Sequence, residues 1–169
     1  MSEPVVIVDY DPGWPDQFER LRARAAAALG DLAVAIEHVG STSVPGLAAK
    51  PIIDMDVAVA SLAHVPAAIE RLAAIGYVYE GDLGLTGREA FTAPPGGAAH
   101  HLYVCTVDAR EYRRHLAFRD RLRADPVAAR AYGDLKRALA QRHRDDRLAY
   151  TDAKDEFVES VLLEELGPN

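Results

Sequence analysis

Two aspartates, Asp54 and Asp56, stand in the segment PIIDMDVAVA, where Ile53, Met55, Val57 and Val59 alternate with Asp54, Asp56 and Ala58. That two-residue period belongs to a strand, so both carboxylates leave one face and the large apolar side chains leave the other. Carboxylates so close repel each other, and they are near enough to share a divalent cation, Mg2+ or Mn2+, unless their face is simply solvated. Just upstream lies GSTSVPG, residues 40–46. A glycine at 40, following a strand, lets backbone N–H groups approach a phosphate without a Cβ in the way, and Ser41, Thr42 and Ser43 add hydroxyl donors. The same composition also suits an ordinary tight turn punctuated by Pro45 and Gly46. Five residues separate Gly40 from Gly46 and Leu47 follows, so the P-loop pattern is not met. Lys50, just before the acidic strand, is placed either to pair with a phosphate or to lay its stem along the strand end.

Those residues need a scaffold, and hydrophobic periodicity outlines one. A short strand is expected at Val5–Val8, then a helix carrying Phe18, Leu21, Ala25 and Leu29 with Pro15 in its first turn and Gly30 as its stop. Ile36–Val39 and Ile53–Val59 read as strands, and Leu62, Val65, Ile69 and Leu72 as a second helix ending near Gly76. Strands are expected again at Tyr77–Tyr79, Arg88–Thr92 and His101–Val107, with Pro-Pro-Gly-Gly at 94–97 as a connecting turn. After residue 108 the pattern is helical throughout: 109–123, 127–144 and 147–166. The expectation is one domain, residues 1–169, with an α/β core (1–108) and a helical C-terminal part (109–169).

The helical part carries cations where apolar residues are expected. Tyr112, Leu116, Arg119 and Leu122 lie along one side of their helix, which sets a guanidinium into an inward-looking stripe. Lys154 follows Tyr150 by four residues and precedes Phe157 on a similar stripe. A half-buried cation needs an anion, either a bound phosphate or a carboxylate of the first half. His38 reads as a structural side chain at a strand end, and Cys105 as core.

A glycine-serine turn, a spacer of about a dozen residues and then two acids on a strand is similar to the signature of the nucleotidyltransferase (polymerase β-like) fold. The wording HVGSTSVPGLAAKPIIDMDV, with R-x-x-F at 88–91, HHLYV at 100–104, FRDRLR at 118–123 and Y-x-x-x-K at 150–154, resembles the GrpB family over nearly the whole chain. The resemblance implies a mixed sheet flanked by helices, and occurrence both alone and fused behind dephospho-CoA kinase; it brings no established reaction. Transferases of this fold commonly use a third acid on a following strand. No Asp or Glu lies in 99–107, so His101 stands in as ligand or proton acceptor, or Glu89, the nearest acidic alternative unless it faces the other side of its strand, serves instead, or the third group is missing. Family members often carry His-x-His where this chain has His-Leu-Tyr.

The 169 residues hold 19 basic and 26 acidic side chains, a net charge of −7. That balance gives no footprint for non-specific nucleic-acid binding. One cysteine cannot make an internal disulfide, and no run is long and apolar enough to span a membrane, so the chain reads as reduced and cytoplasmic. The leading expectation is a metal-dependent nucleotidyltransferase, or a related phosphoryl-transfer enzyme, acting on a small nucleotide or phosphate ester. Asp54, Asp56 and His101 would do its chemistry. Gly40, Ser41, Thr42, Ser43, Lys50, Arg88, Arg119, Tyr150 and Lys154 would hold the phosphates. The alternatives are a module that binds a nucleotide or CoA-like ester without turnover, and a partner-binding protein with a vestigial cleft.

Overall fold

The computed structural model describes residues 3–168; the part of the N-terminal reading that falls on Met1 and Ser2 lies outside them. Five strands form one mixed sheet in the order β1-β2-β5-β4-β3: β1 Ala35–Val39, β2 Ile53–Val59, β3 Val78–Gly81, β4 Arg88–Thr92 and β5 His100–Thr106. β2 pairs antiparallel with β1 and parallel with β5, which places Asp54 opposite His101 and Asp56 opposite Tyr103.

The alternation in β2 is realised as a two-sided sheet. Met55, Val57 and Val59 pack with Leu102 and Val104 of β5 against α1 (Trp14–Leu29) and α2 (Val65–Ala73), where Ala25, Leu29, Ala68 and Leu72 are fully buried. The opposite face bears Asp54, Asp56 and Ala58. It is not left to solvent: α3 (Arg110–Ala124) lies over it, with Tyr112 and Leu116 packed on Ala58 and Cys105. α4 (Pro126–Arg142) and α5 (Arg147–Leu166) complete the helical half. Val44 and Leu47, just past the Ser41–Ser43 turn, are buried with Leu122, Ala129 and Tyr132, so the loop that precedes the acidic strand is pinned inside the helical packing. Among the described residues no helix is long and apolar enough to cross a membrane.

The expected strand at Val5–Val8 is not formed. A single antiparallel bridge joins Val8 to Ala49, while the Val5 amide donates to the Arg144 carbonyl and its side chain packs on Leu139, Ala140 and Tyr150. β-branched residues suit a strand, but here the segment is held by α4 and α5, away from both sheet edges. The strand expected at Tyr77–Tyr79 begins one residue later, since Tyr77 turns inward and its hydroxyl donates to His100 Nε2 at 2.7 Å.

α4 starts where Asp125 accepts from the Val127 and Ala128 amides at 3.1 and 3.0 Å, with Pro126 in the first turn. Losing such an N-cap costs about 1 kcal/mol. An Asp125→Ala variant is therefore expected to unfold at lower urea by that amount, with no change in the slope of the transition.

Candidate functional site

A cleft of about 230 Å3 opens between the acidic end of β2 and the helical half. Ser41, Lys50, Asp54 and His101 line it from the α/β side; Lys136, Arg147, Tyr150 and Lys154 line it from α4 and α5. Thr42 also reaches it, though its hydroxyl is shared with His38 Nε2 at 2.9 Å. The site thus joins residues from widely separated parts of the chain.

The Gly40 backbone has φ +71°, and a Cβ built there would fall 2.2 Å from Asp54 Oδ2. The glycine is required by the carboxylate that presses against it as well as by its positive φ. Gly40→Ala is expected to displace Asp54 and cost about 2 kcal/mol, the range of a forced left-handed residue, measured as a lower midpoint in chemical unfolding. Ser43 donates its hydroxyl to the Gly40 carbonyl and receives Arg123 Nε on its own carbonyl at 2.9 Å, so it shapes the turn instead of facing the cleft.

The two aspartates are in different surroundings. Asp54 is part-exposed and accepts His101 Nδ1–H at 2.9 Å, which leaves His101 Nε2 for the cleft. Asp56 is fully buried under α3; its Oδ2 is 2.6 Å from His115 Nδ1, and its Oδ1 has no hydrogen-bond partner. Burial raises the Asp56 carboxyl pKa despite the neighbouring imidazole. For His115 burial works downward, but the Asp56 hydrogen bond and charge outweigh it and the pKa is raised. The pair holds a proton between its members more tightly than a free histidine would.

Cations crowd the opposite wall. Lys136 is only 2% exposed, at the centre of the α4 stripe formed by Ala129, Tyr132, Leu139 and Ala140, with its ammonium 4.7 Å from the Tyr132 ring centroid. Lys50 Nζ lies 4.7 Å from the Tyr150 ring centroid and Lys154 Nζ 5.6 Å from the same ring. Tyr150 is therefore the aromatic floor beneath two ammonium groups. Burial, then mutual repulsion, lowers Lys50 to about 8 and Lys136 to about 7, and burial lowers Lys154. Among the described residues none of Lys50, Lys136, Arg147 or Lys154 is in an ion pair. Cations brought together without carboxylate partners make this wall electrostatically complementary to an anion.

Besides Ser43, two further expected phosphate ligands, Arg88 and Arg119, lie outside the cleft lining. Arg119 donates to Glu37 Oε2 at 2.7 Å, to the His38 carbonyl at 3.2 Å and to Asp120 Oδ1 at 2.8 Å, fastening α3 to β1. Arg88 stacks on the Tyr103 ring, its guanidinium carbon 4.2 Å from the centroid, under the acidic face. Lys136, Arg147, Thr151 and His115 are additions the sequence reading did not single out. Lys136 had a signal, since it occupies a core position in the α4 stripe; Arg147 and Thr151 had none.

A divalent cation such as Mg2+ keeps several waters and binds through one or two carboxylates together with ligand phosphates. Asp54 and Asp56 have that chemistry, and the orphan Asp56 Oδ1 is an acceptor of the kind a cation satisfies. Among the described residues no three His, Cys, Asp or Glu converge into a metal cage. Asp54, on the cleft wall, is the carboxylate that a cation arriving with a phosphate would meet; Asp56 lies beneath α3, outside the cleft lining.

Comparison with known proteins places the chain in a family. A family model described as GrpB protein matches residues 4–164. The crystal structure of conserved protein GrpB from Enterococcus faecalis superposes with a TM-score of 0.86 at 40% identity, covering 95% of this chain and 97% of that one. UPF0157 protein YqkA of Bacillus subtilis is 38% identical over 93% of this chain, which spans only 46% of that protein's length. A dephospho-CoA kinase of Mycolicibacterium paratuberculosis is 31% identical over 90% of this chain and 44% of its own. Cid1, solved with its short product ApU, shares the fold at a TM-score of 0.58 and 14% identity, over 87% of this chain and 48% of that one.

Proposed function

The chain belongs to the GrpB family, with the nucleotidyltransferase-like fold, and from that premise we propose that its cleft binds the phosphates of a small nucleotide or related ester and transfers its nucleotidyl group. The observation that carries this reading is the convergence of Lys50, Lys136, Arg147 and Lys154, all without carboxylate ion pairs among the described residues, around the end of β2 that presents Asp54.

Lys50 and Lys154 supply mobile point charges to the phosphate chain, and Arg147 a forked donor suited to two phosphate oxygens. Ser41 adds a hydroxyl donor at the turn. Asp54 and Asp56 would hold Mg2+ or Mn2+, which supplies charge neutralisation and polarisation at the reacting phosphate. His101, oriented by Asp54, keeps Nε2 free to accept the proton of an acceptor hydroxyl.

A second reading, binding without turnover, is favoured by one feature: Asp56 is sealed under α3 by His115, and β5 carries no carboxylate. Incubation with a panel of nucleoside triphosphates and Mg2+, followed by product analysis and assay of released pyrophosphate, separates the two. Pyrophosphate release supports transfer. Saturable binding with no product supports the module, and no binding of any phosphate compound refutes both.

A further inference from the structure

Lys136 differs from the other cations of the cleft in being almost completely withdrawn from solvent while still lining it. The charged groups facing it are Lys154 from α5, Lys50 from the segment before β2, Asp54 from β2 and Arg137 from its own helix. Arg137 is itself paired with Asp9, so Lys50 and Lys154 oppose the single carboxylate of Asp54 around a buried ammonium that lies 4.7 Å from the Tyr132 ring centroid. The outer groups Lys50, Lys154 and Arg147 are half-buried or exposed, and water screens them, whereas negative charge on a bound anion acts on Lys136 with little screening. A second negative charge therefore adds more attraction at Lys136 than at the outer groups.

Resting on the reading of the cleft as a phosphate site, we propose that Lys136 is its specificity-determining residue, selecting phosphate groups with two or more negative charges, terminal phosphomonoesters and polyphosphates, over singly charged phosphodiesters. The selection follows from placement. A buried cation is stabilised only by charge that reaches it, and the low polarity around it strengthens that attraction. It carries a second signature, because burial and the neighbouring lysines bring Lys136 to about 7. At pH 8 much of it is neutral, and a dianion entering the cleft draws a proton onto it from solvent. A polynucleotide backbone, with one charge per phosphodiester, gains less from Lys136 than a terminal phosphate does, which directs the site to small terminal phosphates.

The test is calorimetric titration of the full chain at pH 8 with pyrophosphate, methyl phosphate and dimethyl phosphate, the methyl phosphate series repeated in two buffers of different ionisation heat. The expected result is binding of pyrophosphate and methyl phosphate at least ten times tighter than dimethyl phosphate, with net proton uptake. In Lys136→Met the preference is expected to fall below threefold and the proton uptake to vanish. Equal affinity of the wild type for methyl and dimethyl phosphate overturns the selectivity while leaving the phosphate site intact. Binding of none of the three, with no nucleotide bound either, removes the phosphate site itself. The wild-type ratio and proton count decide the matter even if the variant is lost on purification.

Discussion

Asp54→Asn is expected to lose Mg2+-dependent product formation by on the order of 10³-fold, since a metal-held carboxylate accounts for several kcal/mol of transition-state charge stabilisation. Binding of polyphosphate with metal chelated is expected to be unchanged or tighter. The reason is electrostatic: Asp54 faces Lys50, Lys136 and Lys154 and is the acidic residue lining the cleft, so without metal it repels the ligand. Asparagine keeps an oxygen for His101 Nδ1–H and a comparable shape against Gly40. Calorimetry in chelator and pyrophosphate release in Mg2+ check the two halves. If metal-free affinity and turnover fall together, Asp54 is a structural residue and the proposed division of labour is wrong.

Lys136→Met is expected to stabilise the protein. Lowering an ammonium from its ordinary 10.5 to about 7 corresponds to roughly 5 kcal/mol at low pH, and losing the contact with the Tyr132 ring offsets about 1 kcal/mol of that. Methionine fills a similar volume without a charge to desolvate. The sign with pH is fixed. Between about 7 and 10.5 the unfolded chain holds the Lys136 proton and the folded chain has released it, so wild-type stability rises with pH and the variant's advantage shrinks. Below about 7 the advantage is full, roughly 4 kcal/mol. At 2–4 °C per kcal/mol for a chain of this size, the melting temperature is expected to rise by about 10 °C at pH 6 and by little at pH 10. Equal melting curves at both values contradict a buried ammonium at this position. A gain in stability together with a loss of anion binding is the pattern of a group retained for function.

How far the sequence discloses this site depends on the range of the interactions involved. The period-two pattern of β2 is local, and it suffices to put Asp54 and Asp56 on one face; helices α3 to α5 are equally legible from their apolar spacing. What covers that face is not local. His115 reads as one more polar residue on a helix until α3 is laid over β2, where it closes on Asp56. Arg119 is legible as a cation in an inward stripe, but its partner Glu37 lies 82 residues away, and residue type alone cannot choose between that carboxylate and a phosphate. Val5–Val8 carries a strand's composition, yet strand formation needs a free edge, and its backbone bonds go to Ala49 and Arg144. Lys136 is the instructive case. Lysine is expected on a solvated helix face, and only the burial of Ala129, Tyr132 and Leu139 on the same stripe reveals that it points inward.

The central claim is that the lysine-lined cleft beside Asp54 receives the phosphates of a small ligand. It is tested most directly by a crystal structure of the protein with Mg2+ and a non-hydrolysable nucleoside triphosphate. The account predicts phosphate density within hydrogen-bonding reach of Lys50, Lys136, Arg147 and Lys154, with a cation between it and Asp54. Phosphate density only at Arg110, Arg113 and Arg114, in the separate groove that α3 forms with Glu159 and Leu162 of α5, with Lys136 untouched, would contradict it.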